Sequence, residues 1–129
     1  MTSSPLTVTA LLQRRVRESG DHTYVVSPSD RLTYDEADER SAELACRLLA
    51  DGVGKGSRVG LFFPNGVDWI VWWLALSRIG ALVVPLSTMY TPAEIAKVLR
   101  LADICMLVGP AEVVGIDVPE RLEAALPGL

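Results

Sequence analysis

Cysteine and histidine are almost missing from these 129 residues: two of the first, one of the second. Cys46 and Cys105 lack the close spacing of a metal site or redox pair, and both are expected to be reduced and buried. His22 stands alone in a loop after Gly20-Asp21 and reads as a surface residue. Basic residues never cluster beyond Arg14-Arg15-Val16-Arg17, in a chain of net charge −4. That leaves nothing suited to a phosphate backbone, and no nucleic-acid partner is expected. The cluster reads as the solvated face of an N-terminal helix. No apolar run can span a bilayer, because Ser77-Arg78 interrupts the longest one. The start, Met1-Thr-Ser-Ser-Pro5, lacks the positive and apolar parts of a signal peptide, so a cytoplasmic location is expected. No strand ends in the acidic residue a phosphoryl receiver needs, and neither a Walker lysine loop nor a Gly-x-Ser-x-Gly elbow occurs. No catalytic residue, metal ligand or bound cofactor is therefore assigned from the residues.

Half the residues are apolar and 22% are charged, which fits a globular chain and not a disordered one. At this length a single domain, residues 1–129, can bury roughly two-thirds of its unfolded surface. Its centre is Arg58 to Arg100. There a strand (Arg58-Val-Gly-Leu-Phe-Phe63), a helix (Gly66 to Ile79), a strand (Ala81-Leu-Val-Val-Pro-Leu86) and a second helix (Pro92 to Leu101) alternate. Strands apolar on both faces, interleaved with helices, point to a parallel sheet covered on both sides. The helix Trp69-Ile-Val-Trp-Trp-Leu-Ala-Leu76 has no polar residue, as a helix pinned against such a sheet requires. Asn65 is expected to cap it, with Asp68 adding negative charge to its first turn.

The flanks extend this unit. Thr7 to Ser19 reads as an amphipathic helix with Val8, Leu11, Leu12 and Val16 inward. Tyr24 to Val26 and Arg31 to Thr33 flank a Ser-Pro-Ser-Asp turn and read as a short antiparallel hairpin. Thr33-Tyr-Asp-Glu36 and Thr91-Pro-Ala-Glu94 are capping boxes, in which a threonine and a glutamate satisfy each other's exposed amides. The first opens a helix with Ala37, Ser41, Leu44, Ala45, Leu48 and Leu49 inward, closed by Gly52. The second turns Ile95, Val98, Leu99 and Ala102 inward. Ile104 to Val108 reads as a further strand, and Asp117-Val-Pro-Glu120 as a last helix start. The expected architecture is α/β and three-layered: a hairpin and helix over residues 7–34, then a mostly parallel sheet with helices on both faces over 35–129.

Gly52-Val-Gly-Lys-Gly-Ser57 suggests a phosphate loop, but the order here is helix, glycines, strand. A phosphate loop needs strand, glycines, helix, so these glycines read as a turn. Trp69, Trp72 and Trp73 form a stripe at helical spacing, which reads as core or subunit contact.

The ordered set Leu32-Thr-Tyr-Asp-Glu36, Gly52-Val-Gly-Lys-Gly-Ser-Arg-Val59, Phe63-Pro-Asn65, Ser77-Arg-Ile-Gly-Ala-Leu-Val-Val-Pro-Leu86 and Thr91-Pro-Ala-Glu94 resembles the beginning of the adenylate-forming enzymes. Those include acyl-CoA synthetases, aryl-CoA ligases, luciferases and peptide-synthetase adenylation domains. The resemblance covers about residues 7 to 110 and implies an incomplete N-terminal subdomain of that fold. It implies a two-step reaction: a carboxylic acid and ATP give an acyl-adenylate and pyrophosphate, then a thiol displaces AMP. ATP, magnesium and CoA are implied for the whole enzyme, whose triphosphate loop, metal ligand and C-terminal lysine have no counterpart in this chain. Val-Pro-Leu-Ser-Thr-Met-Tyr-Thr-Pro resembles the CoA-ligase branch, acting on a carboxylic and most simply a fatty acid. A peptide-synthetase start or a non-catalytic interaction module are the alternatives. The triple tryptophan departs from the smaller residues usual there. The resemblance also places Ser87, Thr88, Met89 and Tyr90 beside the CoA path. A parallel sheet left with an open edge is further expected to self-associate through Trp69, Trp72 or Trp73, or through Ile104 to Val108. Light scattering would read this as a dimer mass, and a monomer at high micromolar concentration would refute it.

Overall fold

Both capping boxes form. Thr33 N donates to Glu36 Oε2 at 2.8 Å while Glu36 N donates to Thr33 Oγ1 at 3.2 Å. Thr91 and Glu94 repeat the pattern at 2.8 and 3.3 Å. Each cap stabilises its helix by about 1 kcal/mol relative to alanine. The structure is a computed structural model describing residues 6–127. Met1 to Pro5 and Gly128-Leu129 lie outside it. The chain divides into two compact units that do not follow chain order: residues 1–55 with 65–81, and residues 56–64 with 82–129.

The first unit holds α1 (Val8–Ser19), the antiparallel hairpin of β1 (Thr23–Val26) and β2 (Arg31–Thr33), then α2 (Tyr34–Ala50) and α3 (Val67–Arg78). Thr7 caps α1, its hydroxyl accepting from Ala10 N at 3.1 Å. The hairpin turn is closed by Ser27, which both donates to Asp30 O and accepts from Asp30 N at 3.1 Å. Leu12, Leu32, Ala37, Val67, Val71 and Leu74 form the core. The inner arc of α2 is Ala37, Ser41, Ala45 and Leu48. It is narrower than expected, so Leu49 lies beside it, exposed, as does Leu11 on α1. Cys46 flanks the same arc and Cys105 precedes a strand of the second unit, its thiol donating to Arg58 O at 3.2 Å. Both cysteines are exposed and not buried, because neither position falls on an inward face.

Gly52, at φ +85°, stops α2. Its N–H returns to Leu49 O at 3.1 Å and that of Val53 to Leu48 O at 2.9 Å, a glycine C-terminal stop. At the start of α3 the cap is Gly66, with no side-chain hydrogen bond. Asn65 does not cap: the helix begins one residue too late for its side chain to reach the first amides. Asp68 does occupy the first turn and pairs with Arg40 at 3.6 Å. At the other end Arg78 joins α3 to α2. Its Nε donates to Ser41 Oγ at 2.9 Å, and its Nη2 donates to Asp38 O at 3.1 Å and to the Asp38 carboxylate.

The second unit is built on a three-stranded parallel sheet of order β4-β3-β5, from β3 (Arg58–Leu61), β4 (Leu82–Pro85) and β5 (Met106–Val108). Gly60, Val84 and Leu107 lie abreast in it. A Cβ on Gly60 would meet Leu107 Cδ1 at 2.8 Å and Leu86 Cδ1 at 3.1 Å, so glycine makes room for its neighbours' side chains. β4 is an edge strand and not one covered on both faces: Leu82 and Pro85 are exposed, and proline suits an edge that donates no ladder bond. On the face of Gly60, Phe62 and Leu86 pack against Ile95, Ala96 and Leu99 of α4 (Pro92–Leu101) and Val118 and Ala125 of α5 (Val118–Ala125). Asp117 caps α5, accepting from Glu120 N at 2.9 Å, as its sequence suggests. Between β5 and α5 lies a small hairpin, β6 (Glu112–Val113) and β7 (Ile116–Asp117), turning at Gly115 with φ +75°. Strands of two residues are too short to show alternation, and only the glycine marks them.

Candidate functional site

Ser87 to Tyr90 leave the carboxyl end of β4 and run into the Thr91 cap. They form a tight turn: Tyr90 N donates to Ser87 O and Met89 N to Ser87 Oγ, both at 3.1 Å. The Ser87 hydroxyl is thus taken up by the turn itself. Met89 at the tip is 82% exposed, while Thr88 and Tyr90 are half-buried. A residue the sequence did not single out holds the loop from outside. Arg121, half-buried on α5, donates from Nη1 to Tyr90 O at 3.2 Å and reaches Thr88 O at 3.5 Å. Nothing near Arg121 in sequence signals this bond, since its acceptors are backbone carbonyls some thirty residues away. The same arginine lines a shallow recess of about 280 Å3 with Pro92, Ile116, Asp117 and Glu120.

Open parallel sheets tend to hold ligands where the strand order reverses, outside the carboxyl ends. In the order β4-β3-β5 that place lies between β3 and β5. Here the chain closes on itself: Phe62 N donates to Val108 O at 2.8 Å, and a Cβ on Gly109 would stand 2.7 Å from Phe62 O. The loop after β4 is therefore the more open of the strand ends. In the glycine turn at 52–56 the amides of Gly52 and Val53 are spent on the last carbonyls of α2, so these two serve the helix end and not a phosphate. Among the described residues no three His, Cys, Asp or Glu side chains come together to hold a metal ion.

The three tryptophans of α3 are half-buried. Trp69 and Trp73 stack with centroids 6.2 Å apart, and each lines its own cavity in the first unit. Trp69 and Ile70 face one of about 450 Å3 with Val25, Val26, Pro28 and Asn65. Trp73 faces one of about 210 Å3 with Arg15, Tyr24 and Tyr34. The two tyrosine rings stack at 4.8 Å. Burial, with the neighbouring Tyr34 adding to it, raises the Tyr24 hydroxyl above the ordinary phenol range, so it is a protonated donor at neutral pH. No helix among the described residues is long and apolar enough to cross a membrane.

Comparison with known proteins agrees with this fold. A methyl-dioxo-octahydroindenyl-propanoyl:CoA ligase of Mycobacterium tuberculosis is 38% identical over 124 residues, 95% of this chain and 24% of that protein. Syringomycin synthase of Pseudomonas syringae is 30% identical over 113 residues, 84% of this chain and 18% of the synthase. A benzoate CoA ligase of Burkholderia xenovorans superposes with a TM-score of 0.83 at 22% identity, over 97% of this chain and 24% of that structure, a likeness of fold. The chain thus spans no more than about a quarter of the length of these relatives. Residues 12–128 match the family described as AMP-binding enzyme, and the ordered segments on which the resemblance rested all form, so the chain belongs to the AMP-binding, adenylate-forming enzymes.

Proposed function

We propose that this chain is the amino-terminal quarter of an acid–thiol ligase that activates a carboxylic acid with ATP and passes the acyl group to CoA. The observation that carries the reading is the likeness, along nearly the whole chain, to a ligase named for joining a propanoyl group with a methyl-dioxo-octahydroindenyl ring body to CoA. The acid in this reading is a fatty acid or a ring-bearing propanoate. In this reading the Ser87–Tyr90 loop borders the path of the thiol. It is short, closed on itself by Ser87, and fastened to α5 by Arg121. A fixed loop with small hydroxyl side chains at Ser87 and Thr88 suits a slender thiol arm, whereas a mobile one would fold across it.

The likeness to syringomycin synthase supports a second reading, in which a carrier-protein thiol is the acceptor. Pyrophosphate exchange and thioester formation, measured on the intact enzyme with fatty and ring-bearing acids, distinguish the two. Thioester on free CoA supports the ligase; adenylation that stalls until a carrier protein is added supports the synthetase; exchange with no acid refutes both and leaves a non-catalytic interaction module. The 129-residue chain alone is expected to show no ATP–pyrophosphate exchange with any acid, because the triphosphate loop and metal-ligand set that the resemblance implies for such an enzyme have no counterpart in its sequence. Exchange above buffer would overturn that expectation.

A further inference from the structure

The cavity of about 210 Å3 in the first unit is unused by the ligase reading. Leu11, Leu12 and Trp73 give it apolar walls, Tyr24 and Tyr34 add their stacked rings, and Arg15 lines its mouth. Size narrows the occupant first. An apolar cavity of about 150 Å3 is enough for a benzene ring, so this one holds a single ring with a short arm.

Charge narrows it further. Glu18 is shared between Arg14 at 2.8 Å and Arg15 at 3.5 Å, and Arg17 adds a third guanidinium in the same stretch of helix. The side-chain hydrogen bond with Arg14 holds the Glu18 carboxyl below its usual range. Arg15 is the looser partner, and its charge is the one beside the cavity. Tyr24 and Tyr34 stack with ring centroids 4.8 Å apart and give the cavity wall a flat aromatic surface. An apolar hollow of one ring's size, with a surplus positive charge at its mouth and two stacked aromatic rings in its wall, is complementary to an aromatic anion. We infer that this cavity binds a single-ring aromatic carboxylate, its ring among Leu12, Trp73 and the two tyrosines and its carboxylate on Arg15. This inference stands independently of the ligase reading, because its test needs neither ATP nor a thiol.

The test uses the 129-residue chain and 3-phenylpropanoate, with the indole N–H signal of Trp73 followed by NMR and binding measured by calorimetry. The signal is assigned with Trp73→Phe. Saturable binding in the low-millimolar range or tighter is expected, the floor that ordinary ligand efficiency sets for roughly a dozen heavy atoms. Arg15→Gln, an exposed position that should fold normally, is expected to weaken the acid about tenfold while leaving neutral 3-phenylpropanol unchanged, since only the charge-assisted contact is lost. Leu11→Trp, which fills the mouth from a half-exposed position, should abolish binding of both. No saturable shift of the Trp73 signal up to about 20 mM acid, a ceiling well above that floor, would overturn the inference. Equal affinity of the acid for the parent and Arg15→Gln would overturn it too.

Discussion

Arg78→Ala should lower the unfolding free energy by about 3 kcal/mol, read as a fall in urea midpoint at unchanged slope. The side chain is 15% exposed and its partner Asp38 is 33% exposed. Deleting the guanidinium removes three hydrogen bonds at once and leaves a partly buried carboxylate without its cation. Breaking a fully buried pair costs about 3–5 kcal/mol, and the water still reaching Asp38 puts this one at the lower end. Ser41 is completely buried but keeps its own bond to Asp38 O at 3.2 Å, so the hydroxyl is not orphaned. Two variants identify the cause. Arg78→Lys should recover only part of the loss, because an ammonium cannot bridge Ser41 and Asp38 with one planar fork. Arg78→Met with Asp38→Leu should cost less than the sum of the two changes, since no charge is then stranded. A loss below about 0.5 kcal/mol for Arg78→Ala, the range of ordinary surface substitutions, would mean that water replaces the pair without cost.

What could be read from the sequence was what depends on neighbours in the chain. Thr33 with Glu36, Thr91 with Glu94 and Asp117 with Glu120 lie three residues apart, so their bonds are local and their spacing is visible. The β3, β4 and β5 strands were legible because each is a short apolar run bounded by turn residues, whether or not both its faces are covered. The Arg78 network was not: its partners lie 37 and 40 residues away, and Ser41 looks in sequence like a small member of an apolar face. Leu49 and Cys46 failed for a related reason. Periodicity finds the direction of a helix's inner face, but its width depends on what packs there. Asn65 shows the limit at a helix start, where one residue decides whether a side chain can cap. Of the candidate site, the loop and its anchoring cap were legible, whereas Arg121 became visible only when α5 was folded back onto it.

Thr88→Trp in the intact enzyme is expected to lower thioester formation by ~100-fold, the scale of loss that misplacing a reacting group causes. ATP–pyrophosphate exchange with the acid should persist, because only the second half-reaction uses the thiol. Thr88 is half-buried between a serine committed to the turn and an exposed Met89, and its carbonyl is within reach of Arg121. An indole there cannot withdraw by a backbone shift without breaking the Arg121 and Thr91 anchors, so it should stand in the path the loop borders. Arg121→Ala supplies the complementary arm. It adds no bulk and frees the loop, so it should raise KM for the thiol more than it lowers kcat, again with exchange intact. The two variants separate blockage from misplacement. If both half-reactions fall together, the substitutions have damaged the fold of α4, α5 and the β4 edge. If neither falls, Ser87 to Tyr90 is a turn that ends β4 and borders no thiol path.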